Sequence, residues 1–234
     1  MKHPAVSGDR AAAEKERRLG SAPVGGLFVS LAVPAVISQL VNLLYSVVDR
    51  MYVGHIADTG TLALTALGVC APVITLVSSF AQLVSSGAAP LSSILLGRSE
   101  KDRAEQLLGN SFTAMLVMAV VLTGVMLLFA EPILSLLGAS AATMPYAAAY
   151  LRIYACGTVF VLLTLGLNAF IIAQGFSTAG MITVLIGAAA NLILDPIFIF
   201  ALGMGVRGAA CATVLSQALS SLWALRFLLR RRGL

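Results

Sequence analysis

The sequence predicts an all-α, polytopic membrane protein: a bundle of six transmembrane helices with both termini cytoplasmic. Three observations predict it. Of the 234 residues, 59% are hydrophobic and 11% charged, whereas soluble domains average about 45–50% apolar and about 25% charged. The charges cluster between apolar stretches, each long enough for the about 20 residues that cross the hydrocarbon core as a helix. The basic residues then gather at alternate ends of those stretches, the pattern that sets membrane orientation.

A polar tail of mixed charge, residues 1–26, precedes the first span at about 27–48, which contains Pro34. That apolar run exceeds the about 7–15 residues of a signal-peptide core, so it reads as a retained span. The second span, about 62–96, is long and punctuated by Pro72 and Pro90. A polar loop with Arg98, Lys101 and Arg103 follows, then the third span at about 107–130, whose exit begins at Glu131-Pro132. The fourth span covers about 147–173, ending at Gln174-Gly175; the fifth covers about 179–202 and the sixth about 208–229. Residues 230–234 form a basic end.

Orientation follows from counting cations. The N-terminal tail holds five Lys and Arg, the loop between spans two and three holds three, and the C-terminal end holds Arg226, Arg230, Arg231 and Arg232. The opposite side has Arg50, Arg152 and Arg207. Because cytoplasmic loops carry the excess, both termini are expected inside, which requires an even number of spans.

Composition excludes several function classes. The net charge of +5 sits at the ends of apolar runs rather than on a basic face interleaved with aromatics, so nucleic acid is not an expected partner. Cys70, Cys156 and Cys211 stand singly in apolar runs, without the spacing of a zinc site or a disulfide framework. No GxSxG, HExxH or GxxxxGK[ST] occurs, so hydrolase, metalloprotease and nucleotide-driven chemistry lack support. The chain is not expected to be an enzyme, and no cofactor is implied. An ion gradient is left as the energy source.

Polar residues within the spans mark faces turned away from lipid. Ser38, Asn42, Ser46 and Asp49 form a stripe in the first span, with Gln39 beside it; Ser78, Gln82, Ser85, Ser86 and Ser93 do so in the second. Thr213, Gln217 and Ser220 form one in the sixth. Small polar residues also help membrane helices pack closely, and for the serines that role competes with a functional one. The fifth span carries the sharpest signal, with Asn191 and Asp195 one turn apart and Pro196 next. A carboxylate in hydrocarbon has to be protonated, paired or bound to a cation. Proline lacks an N–H, so the Leu192 carbonyl loses its usual partner. A carboxylate, an amide oxygen and a freed carbonyl suit Na+ or a proton relay; a hydrogen-bond network that only holds the bundle together is the alternative. Asp49 ends its span and precedes Arg50, so spacing alone leaves it either an interfacial charge or part of a site.

Four segments together resemble the multidrug and toxic compound extrusion (MATE) transporters: PAVISQLVNLLYSVVDRMYVGHI from Pro34, LNAFIIAQG from Leu167, NLILDPIFIF from Asn191 and GVRGAACATVLSQ from Gly205. The resemblance runs from about Leu27 to the C-terminus. It implies an antiporter exporting drugs, or cationic and amphipathic xenobiotics, in exchange for Na+ or H+ across the bacterial inner membrane. Carried over residue by residue, it gives Asp49, Asn191, Asp195 and Thr213 the role of coupling-ion site and Asn168 a place in the substrate cavity, where the stripe argument adds Gln39 and Asn42. No metal other than Na+ at the coupling site is implied.

The chain departs from the family in length. Members have two homologous six-helix lobes in parallel repeat, and this chain supplies one, the N-terminal lobe. The second is expected from a missing C-terminal half, a separate chain or a second copy, and truncation is favoured because Leu228 to Leu234 resembles the start of an interlobe linker. The competing expectation is a truncated or partner-dependent membrane fragment with no transport activity of its own. Besides the second lobe, lipid and drug-like small molecules are the expected partners.

Overall fold

In the computed structural model, which describes residues 24–57 and 59–230, the long apolar runs become helices joined by short turns. They are α1 (Val24–Gly54), α2 (Gly60–Gly97), α3 (Lys101–Leu128), the short α4 (Ala130–Leu136), α5 (Met144–Cys156), α6 (Thr158–Ala173), α7 (Ser177–Pro196) and α8 (Val206–Arg230). A π-helical turn, Ile197–Ala201, continues α7. Most of the expected tail at 1–26, and residues 231–234 of the expected basic end, lie outside the described residues. Five helical segments are long and apolar enough to cross a membrane, and the bent pair α5–α6 makes a sixth. The protein is a multi-pass membrane protein built as an all-helical bundle.

Three departures from the sequence reading have local causes. The third helix starts at Lys101, six residues before the expected span at 107, because a helix continues past the hydrocarbon. Asp102 lies in its first turn, where the helix dipole favours a negative charge. The expected fourth span is two helices bent by 56° at Gly157. Thr123 of α3 donates to the Ala155 carbonyl at 2.8 Å, two residues before that break, as expected where a side chain enters a helical ladder. The fifth span changes to π geometry directly after Pro196, and the Leu202 N–H reaches back five residues to the Ile197 carbonyl at 2.9 Å.

Helix α6 stands at the centre, packed against α2, α3, α7 and α8. Its side chains are enclosed on most sides, with Leu162, Phe170 and Ile171 fully buried. Small residues let α2 approach it. Ala63, Ala66, Cys70, Val73, Val77 and Ala81 recur at helical spacing and are all buried, a small-residue seam of the kind that substitutes for hydrophobic drive inside lipid. Cys70 belongs to this packing, since its thiol donates to the Ala147 carbonyl at 3.5 Å. Large apolar side chains face outward instead, with Leu128 77% and Val120 73% exposed, the reverse of a soluble core.

Helix α1 is peripheral. It rests mainly on α7, with smaller contacts to α2 and α8. Helices α7 and α8 approach closely at Gly187, where an added Cβ would lie 2.6 Å from Ser220 Oγ, and Ser220 donates to the Thr183 carbonyl at 3.0 Å. Helix α8 also meets the π turn closely, this time against backbone: a Cβ on Gly208 would stand 2.7 Å from the Phe198 carbonyl carbon. Backbone cannot yield as a side-chain tip can, so Gly208→Ala is expected to destabilise the lobe by about 1–3 kcal/mol. Gly109→Ala, inside α3 with nothing within 4 Å, is the unobstructed control and is expected to gain about 0.5–1 kcal/mol from the better helix former. Thermal unfolding in detergent compares them, and equal melting temperatures would contradict this account of the contact.

Candidate functional site

Helices α1, α2, α5, α6, α7 and α8 surround a cavity of about 540 Å3. Hydroxyls and amides line much of it: Ser78 from α2, Tyr150 from α5, Thr164 and Asn168 from α6, Asn191 from α7 and Gln217 from α8. Such a wall follows from sequence spacing, because residues three and four apart on a helix share a face. Asp49 and Arg50 are the charged residues that line it.

The packing of α1 on α7 sets the chemistry. Asp195 is 1% exposed and Asn191 3% exposed, and Asn191 Nδ2 donates to Asp195 Oδ1 at 3.2 Å. That leaves the Asn191 amide oxygen as an acceptor. From α1, the half-buried Asp49 brings its carboxyl within hydrogen-bonding reach of Asp195. Asp49 Oδ1 and Asp195 Oδ2 are both buried without a hydrogen-bond partner. Two acceptor oxygens cannot satisfy one another, so each calls for a donor or a cation, and a shared proton serves both. Asp195 does not itself line the cavity, whereas its neighbours Asp49 and Asn191 do.

Thr213 of α8 lines the same cavity. Its hydroxyl donates to the Ala209 carbonyl at 3.0 Å, and the Tyr150 phenol lies within hydrogen-bonding reach of it. Further along the wall, Asn168 Oδ1, Ser216 Oγ and Gln217 Oε1 are buried without partners. Oxygen donors gathered in this way suit a hard cation, a proton or water.

Of the seven residues singled out in the sequence, Asp49, Asn191, Thr213, Asn42 and Asn168 line one cavity, and Asp195 stands behind its wall against Asn191 and Asp49. Gln39 does not join them. It is exposed, on the stripe of Val36, Leu40 and Leu43 that points away from α7. The α2 stripe also divides. Ser78 reaches the cavity, Gln82 is exposed, and Ser93 donates to the Ala173 carbonyl at 2.8 Å, joining α2 to α6. The serines thus split between site and packing according to the neighbour each one meets.

Sequence reasoning missed the tyrosines. Tyr45, Tyr150 and Tyr154 all line the cavity, and the last two stack with ring centroids 6.2 Å apart. A signal was present, since Tyr146, Tyr150 and Tyr154 recur every fourth residue in a run that is, apart from Arg152, small and apolar.

Comparison with known proteins adds a family. The MatE family model matches residues 34–197. Among curated relatives, the multidrug export protein MepA of Staphylococcus haemolyticus is 29% identical over 200 residues, covering 86% of this chain and 44% of its own length. An FAD transporter of Shewanella oneidensis is 28% identical, covering 84% of this chain and 44% of its own length. The chain thus spans less than half the length of these relatives. Among solved structures, one described as a crystal structure of MATE in complex with MaD3S superposes with a TM-score of 0.82 at 27% identity, over 89% of this chain and 46% of that one. Another, named protein A, gives 0.86 at 32% identity, over 92% of this chain and 48% of that one.

The carboxyl pair yields a stability prediction. Asp49→Asn supplies an amide donor to the unpaired Asp195 oxygen and removes one of two like-charged groups. It is expected to raise the stability of the lobe by about 1–2 kcal/mol at neutral pH. Thermal unfolding in detergent reads this, and a lower melting temperature would refute the pairing.

Proposed function

The chain belongs to the MatE family, and from that membership we propose that it is the N-terminal lobe of an efflux antiporter, exporting drugs or cationic and amphipathic xenobiotics in exchange for Na+ or H+. One observation carries the proposal. Two carboxyl groups from separate helices, Asp49 and Asp195, adjoin beside a polar cavity, each with a buried oxygen that lacks a partner. In this reading Asp195 and Asp49 hold the coupling ion, and Asn191 orients Asp195 and offers its amide oxygen. Thr213 contributes a hydroxyl. Asn42 and Asn168 contact the substrate from the cavity wall, and Gln39 acts only where a second lobe covers the exposed side of α1.

Transport then follows from competition. A cation between the carboxyls stabilises one conformation of the lobe and substrate stabilises another, so each weakens the other's binding by the difference in its affinity for the two states. A second six-helix lobe is part of the proposal, because alternating access requires two bodies that move against each other. The proposed setting is the bacterial inner membrane with both termini cytoplasmic. The relatives named for multidrug export and FAD transport support a transport role in general.

Expressed in a drug-sensitive bacterium together with a second lobe, the parent chain is expected to confer resistance. The Asp195→Asn variant should still insert but lose ion-dependent efflux, a coupling of about 1–3 kcal/mol, or about 5–150-fold. Resistance unchanged in that variant would sink the coupling role. A parent chain that inserts yet confers none would favour a fragment without transport activity. Vesicles carrying an imposed Na+ or pH gradient separate the two candidate ions.

A further inference from the structure

The end of α8 that bears Arg226 and Arg230 lies beside the turn between α6 and α7, because Phe176 meets Phe227 edge to face with ring centroids 5.6 Å apart. A span that begins at Val206 and uses about 20 residues to cross the hydrocarbon leaves it near Arg226. Arg226 and Arg230 therefore stand at headgroup depth. They also continue a particular face. Leu215, Leu219 and Leu222 are exposed at helical spacing, 44%, 48% and 59% respectively, and Arg226 and Arg230 follow on the same side of the helix, exposed as well.

At this point the surface is hollow. Trp223, Arg226, Phe227 and Arg230 line a groove of about 190 Å3. The two guanidinium groups are four residues apart, so they project from successive turns of one face. The salt bridges found among the described residues, Arg103 with Glu100 and Arg152 with Glu131, use neither of them. Uncompensated arginines above an apolar stripe ask for a ligand with an anionic head and an apolar tail.

We propose that Arg226 and Arg230, at the rim of this apolar groove, bind the phosphate of an anionic phospholipid, with an acyl chain lying along Leu222, Leu219 and Leu215. Guanidinium is the side chain best matched to phosphate, since its planar fork gives two parallel hydrogen bonds. Trp223 and Phe227 wall the groove at the depth where aromatic side chains meet the glycerol region. Basic pockets on membrane helices hold anionic headgroups by the same chemistry. An acidic protein segment would satisfy the arginines but leave the leucine stripe unused, and the stripe extends about two turns into the hydrocarbon.

Trp223 is the single tryptophan of the chain, so its fluorescence reports on this groove. The full chain is reconstituted in phosphatidylcholine bilayers, and Trp223 is quenched with dibrominated phosphatidylglycerol or dibrominated phosphatidylcholine. Brominated phosphatidylglycerol is expected to quench at a several-fold lower mole fraction. Arg226→Gln combined with Arg230→Gln should abolish that preference and leave quenching by brominated phosphatidylcholine unchanged, which also reports that the helix keeps its depth. Equal quenching by the two lipids in the parent overturns the proposal, as does a preference that survives the double substitution. Trp223 quenched by neither lipid means that protein covers the groove, and overturns it too.

Discussion

Two carboxyl groups brought together inside apolar surroundings cost several kcal/mol unless a positive charge or hydrogen-bond donors compensate them. Asp49 and Asp195 face that constraint, and the neighbouring architecture serves it. Helix α1 rests chiefly on α7, so the helix that carries one carboxyl is held by the helix that carries the other. Asn191 compensates one oxygen of Asp195 at 3.2 Å. The close approach of α7 and α8 at Gly187 sets Ser220 against α7, and Thr213 lines the cavity from the same helix. Under the proposed antiport, the oxygens left over hold the coupling ion. Directly after Asp195, Pro196 and the π turn end regular helical geometry, so the carboxyl sits where the backbone ladder is already interrupted.

Around this pair the lobe combines a rigid part and a loosely held part. The seam between α2 and α6 buries one face of α2 and much of α6, and a packed interior of that kind has discrete arrangements rather than a continuous range. Helix α1, by contrast, leaves most of its large apolar side chains exposed, including Leu43 at 63% and Leu44 at 61%. Under the proposed antiport, this is a favourable division. A change of charge at Asp49 acts on the least anchored helix, while the cavity wall formed by α6 and α8 keeps its shape through the 3.0 Å bond from Thr164 to the Gln217 carbonyl.

Much of the fold and part of the site were legible in the residues. Apolar runs long enough to span gave the helices, because a backbone in lipid has to satisfy its own hydrogen bonds and the helix does so within one segment. Asn191 and Asp195 stood out because an amide and a carboxyl one turn apart in an apolar run need partners. The break at Gly157 was not legible, since a glycine in an apolar run reads equally as close packing; only the 56° bend between α5 and α6 and the Thr123 bond to Ala155 beside it distinguish the two. The tyrosines of α5 were overlooked because aromatic residues at helical spacing also describe an ordinary buried face.

What the sequence determined by itself was the class of molecule and its strongest polar feature: helices of bilayer length, and an acidic residue on the fifth span that hydrocarbon does not tolerate alone. Tertiary structure decided which residues that acid meets. Asp49 left its ambiguous position at a helix end to become the partner of Asp195, Tyr150 came within reach of Thr213, and Gln39, one position from a serine of the same stripe, turned outward. Periodicity assigns a residue to a face of its own helix, but only the packing of α1 on α7 and α7 on α8 decides what that face looks onto.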